Sequence, residues 1–418
     1  MSTKSSPIPR PVWLLGWASL FTDAATEMIY PLLPVFLSRV LGAGAFSLGV
    51  IEGVAEGINS ALKVASGYIS DRRSRRRPIV IAGYTLSSLA RPLIAVAQSW
   101  PQVLLIRALD RTGKGIRGAP RDAMLARFAT PASRGRIFGF HRAMDHTGAV
   151  VGPLVATAML FFLPGEYRLL FGLTAIPGAI AVALLFMVPE PDAPGPHVDE
   201  TTPTRGTRPT YVGRVPLDQE HPSSSGPAET RPLVAFLAVL FVFSLGNSAD
   251  AFLLLRLSDA LGGATYIPLL WAAIHVVKAS LSTWGGALSD TFGRKRIIVC
   301  GWILYAVVYL GFALSSSAAW FVVWFLLYGA FFALTEGAEK ALVADLMPST
   351  RAGAAFGWYN ATLGAGALTA SVTFGFLYER FSAATAFGTG AALAAIAAVL
   401  LLWVPSGLPT VARKREGG

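Results

Sequence analysis

Acidic and basic side chains recur at helical spacing inside stretches that are otherwise apolar. Glu52, Glu56, Asn59 and Lys63 follow at intervals of four, three and four residues, which draws one polar stripe down a helix. Asp23 and Glu27 stand four apart, with Tyr30 one turn further on. A denser group runs Arg107, Asp110, Arg111, Lys114 and Arg117, then Pro120, Arg121 and Asp122, with 107, 111 and 114 on a shared face. Such groups suit proton chemistry, because a carboxylate that loses and regains a cationic partner changes its proton affinity by orders of magnitude. Asp23, Glu27 and Glu56 are the first candidates, followed by Asp110 and His275. The alternative for each is structural: buried ion pairs often only neutralise one another, and a lone helical histidine serves equally as a neutral hydrogen-bonding group.

The elements that must hold these groups are membrane helices. Of 418 residues 53% are apolar and 14% charged, against about 25% charged in an ordinary soluble domain; the mean hydropathy is +0.54. Stretches of roughly 20 apolar residues span the hydrocarbon of a bilayer. Twelve are expected, near 12–37, 46–69, 78–98, 101–127, 137–163, 168–188, 232–257, 265–289, 297–315, 319–345, 353–378 and 383–404. The chain accordingly divides into an N-terminal tail (1–11), a six-helix bundle (12–188), a flexible linker (189–231), a second six-helix bundle (232–404) and a C-terminal tail (405–418). The linker is rich in Pro, Ser, Thr and acids and lacks apolar periodicity.

Each charge at mid-bilayer costs at least about 2.5–3.5 kcal/mol, so the charged stripes must face a cavity or a partner. With both termini cytoplasmic, the run Arg72–Arg77, then Arg127, Arg134 and Arg136, then Arg294, Lys295 and Arg296 fall in cytoplasmic loops. The formal net charge of +11 is thereby a topology signal and not a nucleic-acid surface. The single cysteine, Cys300, excludes an intramolecular disulfide. No metal cluster and no cofactor motif is apparent.

The two bundles repeat one another. Gly67-Tyr68-Ile69-Ser70-Asp71-Arg72-Arg73-Ser74-Arg75-Arg76 closes span two, and Gly286-Ala287-Leu288-Ser289-Asp290-Thr291-Phe292-Gly293-Arg294-Lys295 closes span eight. Pro131-Ala132-Ser133-Arg134 with Phe138-Gly139 is echoed by Pro348-Ser349-Thr350-Arg351 with Phe356-Gly357. Leu37-Ser38-Arg39-Val40-Leu41-Gly42 is echoed by Leu257-Ser258-Asp259-Ala260-Leu261-Gly262. The three echoes share nearly one offset, as parallel six-plus-six repeats require. That offset maps the stripe of span two onto Trp271, His275, Lys278 and Ser282 of span eight. It also sets Asn247 and Asp250 of span seven near the equivalents of Glu27 and Tyr30. The first bundle thus offers an acidic face and the second a His/Lys face to one central cavity. Tyr30, Glu52, Asn59, Arg107, Arg111, Lys114, Asn247, Asp250, Trp271, Lys278 and Glu336 are its candidate lining.

On these residues the chain resembles the major facilitator superfamily of secondary transporters over essentially its whole length. The Gly-x3-Asp-basic signature carries the resemblance, with departures at Ser74, where Gly is usual, and Thr291, where a basic residue is usual. Gly148, Gly152 and Pro153 resemble the opening of the motif associated with proton-coupled antiporters, although Val155 and Ala156 replace its trailing glycines. The resemblance implies an all-α membrane protein whose twelve helices form two pseudo-symmetric bundles. It implies proton-coupled alternating access, leaning to export, acting on a small polar or amphiphilic solute as a monomer in a bacterial inner membrane. Uptake of a siderophore, metal chelate or organic acid is the alternative.

Gly67, Asp71, Arg72, Arg75, Arg76 and Arg134, with Gly286, Asp290, Gly293, Arg294 and Lys295, read as a cytoplasmic gate in which Asp71 could pair with Arg134 or sit against the positive N-terminus of span eleven, and Asp290 could do the same with span five. A membrane enzyme acting on lipid headgroups is a more distant alternative. The chain has no HExxH, no G-x-S-x-G and no phosphate-cradling Gly-Lys-Ser/Thr. No enzymatic activity is therefore expected.

Overall fold

The computed structural model describes residues 8–72, 75–128, 134–190, 227–346 and 352–404. Within them the chain forms twelve helical segments and no strand. In the first half these are α1 (Arg10–Val40), α2 (Ala45–Arg72), α3 (Arg77–Val96), α4 (Trp100–Arg127), α5 (Arg134–Phe162) and α6 (Tyr167–Phe186). In the second they are α7 (Pro227–Gly246, resuming as Ala251–Ala260), α8 (Ile267–Phe292), α9 (Arg294–Leu314), α10 (Ala318–Asp345), α11 (Ala352–Arg380) and α12 (Ala383–Trp403). Nine of the described helices are long and apolar enough to cross a membrane. The other three are α2, α4 and α8, the helices that carry the charged stripes. The protein is an all-α integral membrane protein, and the expected linker lies mostly outside the described residues.

Pairing between helices shows the repeat directly. In the first half α1 packs on α5 and α6, α4 on α2 and α3, and α3 on α6. In the second, α7 packs on α11 and α12, α10 on α8 and α9, and α9 on α12. The second set is the first advanced by six helices. Between halves α2 packs on α11 and α5 on α8, and the same operation exchanges these two pairs.

Both first helices of the repeat are interrupted, and at equivalent places. In α1 the α-helix ends at Ile29 and passes through a 3₁₀ turn, Tyr30–Leu32, and a π turn, Phe36–Val40. Pro31 and Pro34 explain this, since proline lacks the N–H that the i−4 carbonyl needs. In α7 the helix stops at Gly246 and restarts at Ala251. Aligning Leu37 with Leu257 sets Tyr30 opposite Asp250, so both breaks fall at the level of the candidate cavity.

Glycines allow two close helix approaches, one within the first half and one between the halves. Gly148 and Gly152 let α5 lie against the backbone of α1; a Cβ on Gly148 would stand 3.1 Å from the Asp23 Cβ, and one on Gly152 3.0 Å from the Ala24 Cα. Gly53 does the same for α2 against α11, where a Cβ would meet the Leu368 carbonyl at 3.0 Å.

Away from the chain ends the two halves share one apolar core, in which Leu33, Phe36 and Leu48 join Phe252, Leu253 and Leu257. On the side of the chain ends, the first half has a separate cluster built on Val12, Leu15, Tyr84, Leu125 and Val188. Polar contacts seal the far side. Arg39 donates to the carbonyls of Ser258 at 3.1 Å and Gly262 at 3.4 Å, and the Phe46 N–H donates to Glu379 at 2.8 Å. On the chain-end side Lys63, Val64 and Ala65 of α2, Ala279 and Ser280 of α8 and Glu336 of α10 are exposed. The bundle is sealed on one face and accessible from the other.

Candidate functional site

Between the halves lies a cavity of about 440 Å³. Its first-half wall is Glu27 and Tyr30 of α1, Glu52 and Glu56 of α2, and Arg111 and Lys114 of α4. Its second-half wall includes Asn247 and Asp250 at the break in α7, with Trp271, His275 and Lys278 on α8. Acids and cations that are far apart in sequence therefore meet across the pseudo-twofold axis.

One contact ties the halves at mid-cavity. The Trp271 Nε1–H donates to the Glu27 carboxylate at 2.7 Å, and the Tyr30 and Trp271 rings lie 5.1 Å apart. Proline-induced departure from α-helix after Ile29 turns the chain just beyond Glu27, which explains why Glu27 and Tyr30 can address one partner. On the second-half wall, Asp250 accepts from the Tyr328 hydroxyl at 2.6 Å and faces the Lys278 ammonium at 3.6 Å. Lys278 also sits 3.6 Å from the Phe332 ring centroid, a cation–π distance. Glu56 accepts from the Asn59 amide at 3.0 Å, a neutral donor on its own helix.

Several charges form a wall behind the cavity. Glu52 accepts from Arg107 at 2.8 Å; Asp110 accepts from Arg91 at 2.9 Å and lies 3.6 Å from Arg107. Arg91 also donates to the Thr22 carbonyl at 3.1 Å. All four of these charged side chains are buried. The chain Glu52–Arg107–Asp110–Arg91 staples α2, α4 and α3 and satisfies charges that the bilayer would otherwise penalise.

Of the residues singled out from sequence, Glu27, Tyr30, Glu52, Glu56, Arg111, Lys114, Asn247, Asp250, Trp271, His275 and Lys278 line the cavity. Arg107 and Asp110 stand in the wall behind it. Asn59 is buried beneath Glu56, where its amide reaches that carboxylate. Asp23 is outside the lining, among Asp145, Lys114, Arg117 and Arg121. Glu336 is exposed and pairs with Lys340 at 2.8 Å. Gly148, Gly152 and Pro153 lie in α5, the glycines at its contact with α1.

The surroundings of the gate residues Gly67, Asp71, Arg72, Arg134, Gly286 and Asp290 lie outside what is described. Arg75 is exposed, and the backbone N–H of Arg76 donates to Glu190 at 2.7 Å. Gly293 takes a φ of +90° at the tight turn between α8 and α9. Arg294 pairs with Asp345 at 2.5 Å, and Lys295 donates to the Leu402 and Val404 carbonyls at 2.7 Å. These contacts join α9 to α10 and to the end of α12, all within the second half.

Sequence reasoning missed Ser244, Ser248, Ala249, Phe332, Leu363, Ala367 and Ser371 of the lining. Small and aromatic residues on α7, α10 and α11 carry no periodic polar signal that would have marked them. Glu339 on α10 is a further buried carboxylate, accepting from the Trp302 indole and the Tyr359 hydroxyl at 3.0 Å each, outside the cavity.

Comparison with known proteins decides the family. The Major Facilitator Superfamily model matches residues 15–277 and 235–418. The chain belongs to the Major Facilitator Superfamily. It is 32% identical over 403 residues to an uncharacterized MFS-type transporter of Methanocaldococcus jannaschii, covering 95% of each chain. It is 26% identical over 393 residues to a protein of Cupriavidus pinatubonensis named "Probable 4-methylmuconolactone transporter", covering 90% of this chain and 84% of that one. In fold it is similar to a bacterial homolog of the human lysosomal transporter Spinster, with a TM-score of 0.68 at 15% identity over 94% of each chain. The family is one of secondary transporters and not of enzymes, and its members carry small molecules through a membrane.

Proposed function

We propose that this superfamily member moves a small organic solute by proton-coupled alternating access, with Glu27 as the principal proton carrier and Glu56 as its neighbour. The observation that carries the reading is the Glu27–Trp271 hydrogen bond, which joins the two halves inside the cavity. An ionised carboxylate accepts more strongly from an indole N–H than a neutral acid does. Protonation of Glu27 therefore weakens a contact that holds the halves together, while Asp23, Arg111, Lys114 and, from the second half, Lys278 act on its charge. Rocking of one half against the other about the cavity then exposes it to alternate sides.

With both termini in the cytoplasm of a bacterial inner membrane, the sealed face is external and this conformer is inward-facing. In the opposite state the ends of α2 and α8, which carry Asp71 and Asp290, close the cytoplasmic side. The glycines of α5, packed on α1 beside Asp23, support the resemblance to proton-coupled exporters. A second reading, uptake of an organic acid, siderophore or metal chelate, is favoured by the cations Arg111 and Lys114 in the cavity. The chain acts as a monomer in either case, since the cavity is complete within one copy.

Proteoliposomes loaded with radiolabelled 4-methylmuconolactone or benzoate test the coupling. A pH gradient drives movement in the parent protein; Glu27→Gln and Glu56→Gln lose that drive while keeping energy-independent exchange. Full gradient dependence in both variants overturns the assignment.

A further inference from the structure

The partners in the cavity are unevenly shared. Each lining carboxylate has a donor: Glu27 has Trp271, Glu52 has Arg107, Glu56 has Asn59, and Asp250 has Tyr328 and Lys278. Arg111 and Lys114, three residues apart on one face of α4, have no hydrogen bond and no ion pair among the described residues. Arg111 is only 8% exposed, and its Nε–H is buried without an acceptor. Asp110, its neighbour in sequence, is already taken by Arg91 and Arg107. Across the cavity neither ring nitrogen of His275 has a hydrogen-bond partner among the described residues, although both are buried.

Asp110, Glu52 and Glu56 attract the Arg111 guanidinium from a distance, but among the described residues no carboxylate comes within ion-pair distance of it, and a buried guanidinium with unmet N–H donors is costly in a bilayer. Above these cations, the rings of Tyr30, Trp271 and Phe332 give the cavity an aromatic flank.

We propose that Arg111 and Lys114 form an anion subsite, so that the solute is an organic anion whose carboxylate or phosphate sits on α4 and whose apolar body lies against Tyr30, Trp271 and Phe332. Arg111 offers a planar fork that matches either group, and Lys114 adds a point charge one turn away. His275 donates to the ligand from the second half, so the bound anion touches both halves. This rests on the cavity being the transport site. An anion there also disfavours ionised Glu27 and Glu56 nearby, so anion and proton occupy the cavity together. Of the two directions above, that occupancy favours uptake.

The test uses the full-length chain in nanodiscs, titrated calorimetrically at neutral pH with benzoate, benzamide and benzylamine, which share a shape and differ in charge, and with succinate. Benzoate or succinate binds, and benzamide and benzylamine bind at least tenfold more weakly. Arg111→Gln lowers anion affinity by about 150-fold or more, as losing one partner of a buried charge pair does; Lys114→Gln lowers it up to about fivefold, and Arg111→Lys restores part of the loss. Should Arg111→Gln fail to fold, the comparison of the four compounds on the parent protein and on Lys114→Gln stands alone. Equal binding of benzylamine, absence of binding by both anions, or unchanged affinity in the variants overturns the subsite. Spin-label distances across the sealed and open faces, read in the same nanodiscs, separate the two claims: motion without anion preference sinks the subsite alone, and no motion sinks the transport reading.

Discussion

Replacing Trp271 by Phe isolates the contact on which the account turns. Phe keeps an aromatic ring against Tyr30 and Lys278 but removes the indole N–H that donates to Glu27 at 2.7 Å. A hydrogen bond to a charged group contributes about 1.5–3 kcal/mol. Glu27 is half-buried in a cavity open on one side, so the lower end applies. A loss of about 1.5 kcal/mol changes an equilibrium constant roughly tenfold. Trp271→Phe should therefore shift the balance between the state sealed at Arg39 and the opposite state by about one decade toward the latter. Electron–electron distance measurements between labels at Val40 of α1 and Asp259 of α7 read this, because Arg39 and Ser258 bring those helix ends together in the sealed state. Glu27→Gln should move the balance less, since the amide oxygen still accepts from Trp271. An unchanged distance distribution in Trp271→Phe would refute the argument that this bond holds the halves.

Other outcomes follow from the same geometry. Asp110→Asn leaves Arg91 without its acid and Arg107 with Glu52 alone, and should cost about 3–5 kcal/mol, seen as a large drop in melting temperature; unchanged melting would show that the ion-pair chain is not a staple. Gly152→Val forces α5 from the α1 backbone and should cost about 1–3 kcal/mol by overpacking, again read by thermal melts. Arg39→Ala removes two donations to carbonyls on α7 and the turn after it, and should raise the population open on that face about fivefold, corresponding to about 1 kcal/mol, measured with the Val40–Asp259 pair.

Much of the architecture is legible in the sequence because membrane helices announce themselves by length and hydropathy, and because the repeat supplies a second copy of each landmark. Leu37 and Leu257 in register are enough to make Tyr30 and Asp250 equivalent positions, although the helix breaks there are seen only in the fold. Partner choice is harder to read. The face shared by 107, 111 and 114 splits in the fold: Arg107 turns to Glu52 and Asp110, while Arg111 and Lys114 reach the cavity. What divides them is Arg91 on α3, a cation that draws Asp110 away from the cavity and that no local pattern links to α4. Likewise the stripe Glu52, Glu56, Asn59, Lys63 lies on one helix face, yet only its two carboxylates line the cavity. Asn59 is buried beneath Glu56, and Lys63 has passed beyond the cavity into the exposed vestibule. The contribution of α11, made through Leu363, Ala367 and Ser371, is silent in sequence because small residues signal packing of any kind.

The central claim is that the sealed face opens as the other closes, and that protonation of Glu27 sets the balance. Its most direct test is a pair of distance measurements in lipid across a pH titration, one pair at Val40 and Asp259 on the sealed face and the other at Arg75 and Arg296 on the chain-end face. On acidification the first distance should lengthen and the second shorten together in the parent protein, and Glu27→Gln should abolish the pH dependence of both. Distances that stay fixed, that lengthen together, or that respond to pH equally in Glu27→Gln would contradict the account.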